Sequence, residues 1–154
     1  MRARVIALGQ RAAGDDGVGL SVLEWLRAYG VPAQMELRQA AEASALLELL
    51  QTPSPTVVVD AVLATPAGRV LVLTPDELDA RGLLAASSHG LGVGQVVQLA
   101  RTLHAEAVSP HITMVAVSIE RPERYGLGLS PQVAAAVPQA GARVMALAGV
   151  ECDA

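Results

Sequence analysis

The stretch Gly9-Gln10-Arg11-Ala12-Ala13-Gly14-Asp15-Asp16-Gly17-Val18-Gly19 constrains the chain more than any other. It follows the apolar run Val5-Ile6-Ala7-Leu8 and precedes an amphipathic segment beginning at Leu20. Strand, glycine-bearing loop and helix is the reading, with glycines supplying tight turns and close helix packing. The loop is acidic where a phosphate cradle would offer bare backbone N–H groups and often a Lys. Asp15 and Asp16 at that position repel an anion. One of them is expected to cap the helix, the common use of Asp at a helix start. The other is left for a second task, and binding a cation is the candidate.

Composition narrows the class. The 154 residues suit one domain, 1–154, with a core that needs no metal or disulfide staple. An apolar fraction of 52% fits a sheet buried on both faces, whose strands read as unbroken apolar runs. Aromatic residues make up 2%, too few for modules that stack bases on rings, and a net charge of −4 without a single Lys disfavours a nucleic-acid backbone. Cys152 is the sole cysteine, so neither an internal disulfide nor a Cys-rich metal pattern exists. The first strand begins almost at residue 1, leaving no room for a signal peptide, and Pro138, Gly141 and Arg143 interrupt the apolar C-terminal stretch. A cytoplasmic protein with no membrane segment is expected.

Strands are expected at Arg4–Gly9, Gln34–Leu37, Thr56–Val62, Arg69–Leu73 and Ile112–Ile119. Helices are expected from about Asp16 to Tyr29, Ala43 to Gln51 and Val93 to His104, with a short helical turn after Thr74. Ser130-Pro131 starts the last helix as N-cap and N1, and Pro138 should kink or split it. The third and fourth strands are too close in sequence for a crossover helix, so that pair is expected to run antiparallel. The alternation gives a three-layer α/β fold.

Ligands of open parallel sheets sit beyond the carboxyl ends of the strands. Asp15 and Asp16 follow the first strand, and Asp60 stands at the end of the third. If those strands are neighbours, their ends lie about 5 Å apart. Carboxylates that close repel unless a cation lies between them. His89, in a Ser-Ser-His-Gly loop, is a candidate nitrogen ligand. Two carboxylates and one imidazole leave open positions and suit zinc, nickel or manganese better than calcium. Against this, an Asp at a strand end often only turns the chain, and a lone loop His more often makes hydrogen bonds. Ser87 and Ser88 lack a nucleophile elbow and are expected to cap the next helix. His104, His111 and Cys152 are given no role.

Four pieces in order, Gly14-Asp15-Asp16-Gly17-Val18-Gly19, Val58-Val59-Asp60-Ala61, Ser87-Ser88-His89-Gly90-Leu91 and Gly128-Leu129-Ser130-Pro131, resemble the hydrogenase maturation endopeptidases. The resemblance spans nearly the whole chain. It implies a mixed, mostly parallel five-stranded sheet with helices on both faces and one antiparallel strand, of phosphorylase/hydrolase-like type. The implied activity is removal of the C-terminal extension from the precursor of a nickel–iron hydrogenase large subunit. The implied metal ligands are Asp16, Asp60 and His89, with Asp15 left to the helix. The metal is nickel already inserted in the substrate and used for recognition, zinc-type ions being possible analogues. No catalytic nucleophile or other cofactor is implied. Gln10 stands where the family usually has Asn, and Arg38-Gln39-Ala40-Ala41 replaces a glycine-rich turn expected near the substrate.

Two other classes compete. A non-catalytic metal-sensing or chaperone protein would carry the same Asp/Asp/His set without cleaving the precursor. A nucleotide- or flavin-binding module would need the first loop to accept phosphate, which its two acids oppose.

Overall fold

The computed structural model describes residues 2–10, 14–85, 92–120 and 128–149. Five strands, β1 (Ala3–Leu8), β2 (Met35–Ala40), β3 (Thr56–Leu63), β4 (Val70–Leu73) and β5 (Ile112–Ile119), form one sheet in the order β2-β1-β3-β5-β4. Four run parallel, and β4 is antiparallel to β5. The short link from β3 to β4 therefore does reverse direction, as expected. The two strands are not neighbours, however, because β5 lies between them. A hydrogen-bonded turn cannot be read from link length when a distant strand claims the intervening place.

Pleating distributes the apolar runs onto two faces. Val5, Val57, Val59 and Ala61 pack with α1 (Val18–Tyr29) and α5 (Pro131–Leu147). Ile6, Leu8, Val58 and Val62 pack on the other face with α2 (Leu46–Leu49), α3 (Pro75–Ala80) and α4 (Val93–Leu103). This double burial explains why β1 and β3 are apolar without alternation. At roughly 25 cal/mol per Å² of buried apolar surface, such a core built from Val, Leu and Ala needs no aromatic residues.

Several local expectations change. The segment after Glu42 is a 3-10 turn (Ala43–Ala45) followed by a single α-turn, not one helix. The N-cap of α4 is Gly92, whose N–H donates to Gln95 Oε1 at 2.9 Å, so that position does not fall to Ser87 or Ser88. Both serines lie outside the described residues. Helix α5 runs unbroken through Pro138. Pro138 is exposed, as is Ala134 one turn earlier, whose carbonyl loses its helical partner there. Water can serve that carbonyl, so the helix continues. Arg38, Gln39 and Ala40, expected in a loop, are the last residues of β2, an edge strand. Among the described residues, no helix is long and apolar enough to cross a membrane.

Arg4 ties the β2 edge to its neighbours. Its Nε donates to Glu36 Oε2 at 3.3 Å, and a terminal nitrogen donates to the Leu49 carbonyl at 3.0 Å. Arg38 Nε donates to the other Glu36 oxygen at 2.7 Å. The Arg38 hydrogen bond, followed by the Arg4 charge and hydrogen bond, holds the Glu36 carboxyl below its ordinary 4.5 against opposing desolvation. A lowered carboxyl stabilises the fold at pH above its unfolded pKa, and that contribution disappears as pH falls through the folded value. Urea unfolding at pH 7 and pH 3 should show a slightly smaller acid-induced loss for Glu36→Gln than for wild type. The difference is small because the pair is partly solvent-screened.

The α1–α5 contact rests on one glycine. A Cβ at Gly141 would meet the six-membered ring of Trp25, which itself stacks on Tyr29 with centroids 5.5 Å apart. Gly141→Ala should lower stability by about 1–3 kcal/mol through overpacking, despite the better helix propensity of Ala. Trp25, the single Trp, gives the fluorescence signal for denaturant melts.

Candidate functional site

Strand β1 ends at Leu8, while β3 continues to Leu63. Their parallel register pairs Ala7 with Val59, so Asp60 stands level with the last residue of β1. Asp60 is not the final residue of its strand, as the sequence suggested. It sits inside β3, where β5 still pairs through Leu63–Ile119 but β1 has stopped. The result is a fully buried Asp beside an opening in the sheet. Its Oδ1 accepts a hydrogen bond from Ala61 N at 2.8 Å. Pleating puts it on the same side as Val58 and Val62, the face covered by α4.

The first loop closes over this opening. Residues 11–13 lie outside the described residues; Gly14–Gly17 then form a 3-10 turn containing both acids. Cα atoms of the turn come within 8 Å of β3. Gly9 (φ +132°) lies directly against the Asp16 carbonyl, where a Cβ would collide. Gly19 presses the first turn of α1 onto the sheet, since its Cβ would meet the carbonyl oxygens of Leu8 and, at 2.9 Å, Val59. One carboxylate oxygen of Asp16 is closed off from solvent. Asp16 and Asp60 thus belong to adjoining elements at one carboxyl edge.

Asp15 does not cap its own helix. The N-cap of α1 is Gly17, and no side chain bonds there. Asp15 instead reaches the start of α5: Ser130 N donates to its Oδ1 at 2.6 Å and Ser130 Oγ to its Oδ2 at 2.8 Å. Ser130 is the N-cap of α5 by backbone geometry, yet its side chain makes no cap bond within α5. No local pattern announces a contact across 115 residues, so a near-neighbour rule assigned Asp15 wrongly.

The third candidate, His89, lies outside the described residues. The chain leading to it is described. Leu63 N donates to the Leu84 carbonyl at 2.9 Å, and Ala85 bridges Val62 in antiparallel sense. Residues 84–85 thus occupy the flank of β3 that β1 has vacated, two residues beyond Asp60. On the far side of the loop, the Asp79 carboxylate stands against Gly94 in the first turn of α4. An acid there suits the positive end of the helix. Among the described residues, no three His, Cys, Asp or Glu side chains form a cluster able to hold a metal. A cavity of about 440 Å³ between α3 and α4 is lined by Leu78, Asp79, Leu84, Ala85, Gly92 and Val93 among others; Ala85 also bridges Val62, two residues beyond Asp60.

The fold is a three-layer α/β sandwich whose mixed five-stranded sheet has one antiparallel edge strand. Its matches among known proteins make that specific. The HycI hydrogenase maturation protease family model matches residues 24–147. The chain belongs to the hydrogenase maturation protease family and is an endopeptidase of that type. Similar solved structures include the NiFe hydrogenase maturation protease HybD of Thermococcus kodakarensis, at 22% identity and TM-score 0.76, covering 96% of this chain and 99% of that one. An Escherichia coli endopeptidase shares 24% identity at TM-score 0.79, with 98% and 96% covered. The hydrogenase maturating endopeptidase HybD of E. coli shares 25% at TM-score 0.74, with 95% and 91% covered. No curated protein matches. The family match begins after the first loop, so the placement of Asp15 and Asp16 rests on the fold itself.

Gly19→Ala tests the packing beneath the site. The added methyl has backbone on two sides and no flexible side chain to displace. Stability should fall by at least about 1–3 kcal/mol, measured as a lower denaturation midpoint with an unchanged m-value.

Proposed function

We propose that this chain removes the C-terminal extension from a nickel-loaded hydrogenase large-subunit precursor, recognising the substrate's nickel through Asp16, Asp60 and His89. The observation that carries the reading is the unequal ending of β1 and β3. It leaves Asp60 buried at the level where β1 ends, with the Asp16 turn close to β3 and Ala85 bridging Val62, and this supports the reading. A buried carboxylate strongly favours a cation over a neutral partner.

The donor set fits a divalent first-row ion: two carboxylate oxygens and an imidazole nitrogen, with remaining positions completed by groups that already hold the nickel in the substrate. Discrimination follows from charge. An unloaded precursor leaves the acids to repel one another, whereas a loaded one neutralises them, so binding free energy differs between the two substrates. The carboxylates hold the metal, and with it the adjoining peptide, against the carboxyl edge. The nickel is substrate cargo on this reading, so the isolated chain should bind nickel or zinc ions weakly.

Incubation with nickel-loaded and nickel-free precursor, read as a shortened large subunit, is the test. Wild type should shorten only the loaded form. Asp60→Asn should retain the fold, as judged by its thermal melt, and lose processing on the order of 10²-fold or more. That is the scale expected when one partner of a buried charge pair is deleted (~3–5 kcal/mol). Equal cleavage of both precursors would remove nickel from recognition. A wild-type chain that bound nickel and left the loaded precursor intact would be a metal-sensing or chaperone protein instead.

A further inference from the structure

We propose that Asp15 and Ser130 form a positioning pair that holds Asp16 in its working orientation by tying the first loop to the start of α5. The proposal rests on the peptidase reading only for the identity of the substrate.

The geometry is specific. Both hydrogen-bonding protons of Ser130, backbone and hydroxyl, go to the two oxygens of one carboxylate, at 2.6 and 2.8 Å. Paired bonds to an ionised carboxylate are directional and about twice as strong as neutral ones. A Ser at an N-cap ordinarily offers its oxygen to its own helix. Here the hydroxyl donates outward, and the α5 side-chain cap is forgone. Pro131 at N1 restricts the backbone just after Ser130, giving the clasp a stiff base on a 17-residue helix packed against the sheet.

Asp15 and Asp16 share a 3-10 turn, in which successive side chains are separated by about a third of a revolution. Directing Asp15 at α5 therefore sets the direction of Asp16. The Asp16 backbone is gripped from the other side by Gly9, where no Cβ can fit. The Asp16 backbone is thus held between the Asp15 clasp and Gly9. The clasp also occupies both Asp15 oxygens.

The test uses the full chain with Ser130→Ala, Ser130→Thr and Asp15→Ala. Two readouts are compared: cadmium-ion affinity of the isolated protein by calorimetry, well below the melting temperature, and kcat/KM on the nickel-loaded precursor. Ser130→Ala is the gentle variant, because the backbone bond to Asp15 survives. It should weaken both readouts by roughly tenfold or more, the usual effect of removing a residue that orients a ligand. Asp15→Ala should weaken them further, and Ser130→Thr, which keeps the hydroxyl, should restore both. A Ser130→Ala protein that melts earlier yet binds cadmium and cleaves as wild type would overturn the proposal, leaving a staple and nothing more. A loss that Ser130→Thr does not restore, or a wild type that binds no cadmium at all, would overturn it equally. If wild type binds cadmium but processes no precursor, the peptidase reading fails, and the cadmium series alone still decides the role of the clasp.

Discussion

The site depends on a mismatch of length between two paired strands. β1 and β3 run side by side through Ala7 and Val59, and then only β3 continues. A strand buried on both faces and paired on both sides offers no room for a polar group. β1 ends level with residue 60, and the sheet is not broken beyond it because β5 continues to pair on the other side. The vacated flank is then shared: the first loop crosses at the end of β1, and residues 84–85 pair with Val62 and Leu63 further along. Asp16 and Asp60 both lie on elements that meet here.

Glycines set how closely those elements approach. Gly9 and Gly19 are not merely turn formers, since in both cases a backbone oxygen stands where a Cβ would be. They let the 3-10 turn and the first turn of α1 lie flat on strand ends. Gly141 does the same between α1 and α5, against Trp25. The helices carrying the two ends of the Asp15–Ser130 clasp are therefore packed directly on each other, and the clasp closes a short distance rather than spanning a gap.

The two acids of the first loop are chemically identical and adjacent, yet their surroundings separate them. Asp15 meets two donors from another element, so its negative charge has a defined, local partner. Asp16 lies in the same turn with one carboxylate oxygen out of reach of solvent. Such a division suits a loop that must both stay rigid and present one charge. It also explains how an acidic loop can replace a phosphate cradle on a common α/β plan: the backbone N–H groups are not the working parts.

The sequence by itself determined the layered class, all five strands and the start of α5. These follow from local causes: apolar runs long enough for strands, glycine and proline punctuation, and an N-cap followed by proline. It also singled out the Asp15-Asp16 pair in the first loop and Asp60 in an apolar strand as candidate acids, and the family resemblance chose Asp16 from the pair. Tertiary structure alone decided the strand order, and with it the insertion of β5 between β3 and β4. It decided that β1 stops level with Asp60 while β3 runs on, that Arg38–Ala40 extend an edge strand, and that Asp15 serves α5 and not α1. Each of these depends on which distant segment occupies a neighbouring position. A hydrogen bond across 115 residues leaves no periodicity or spacing in the chain to be read. Pro138 marks the same boundary from the other direction: its local rule says the helix should break, and only its place on the solvent side of α5 shows why the helix continues.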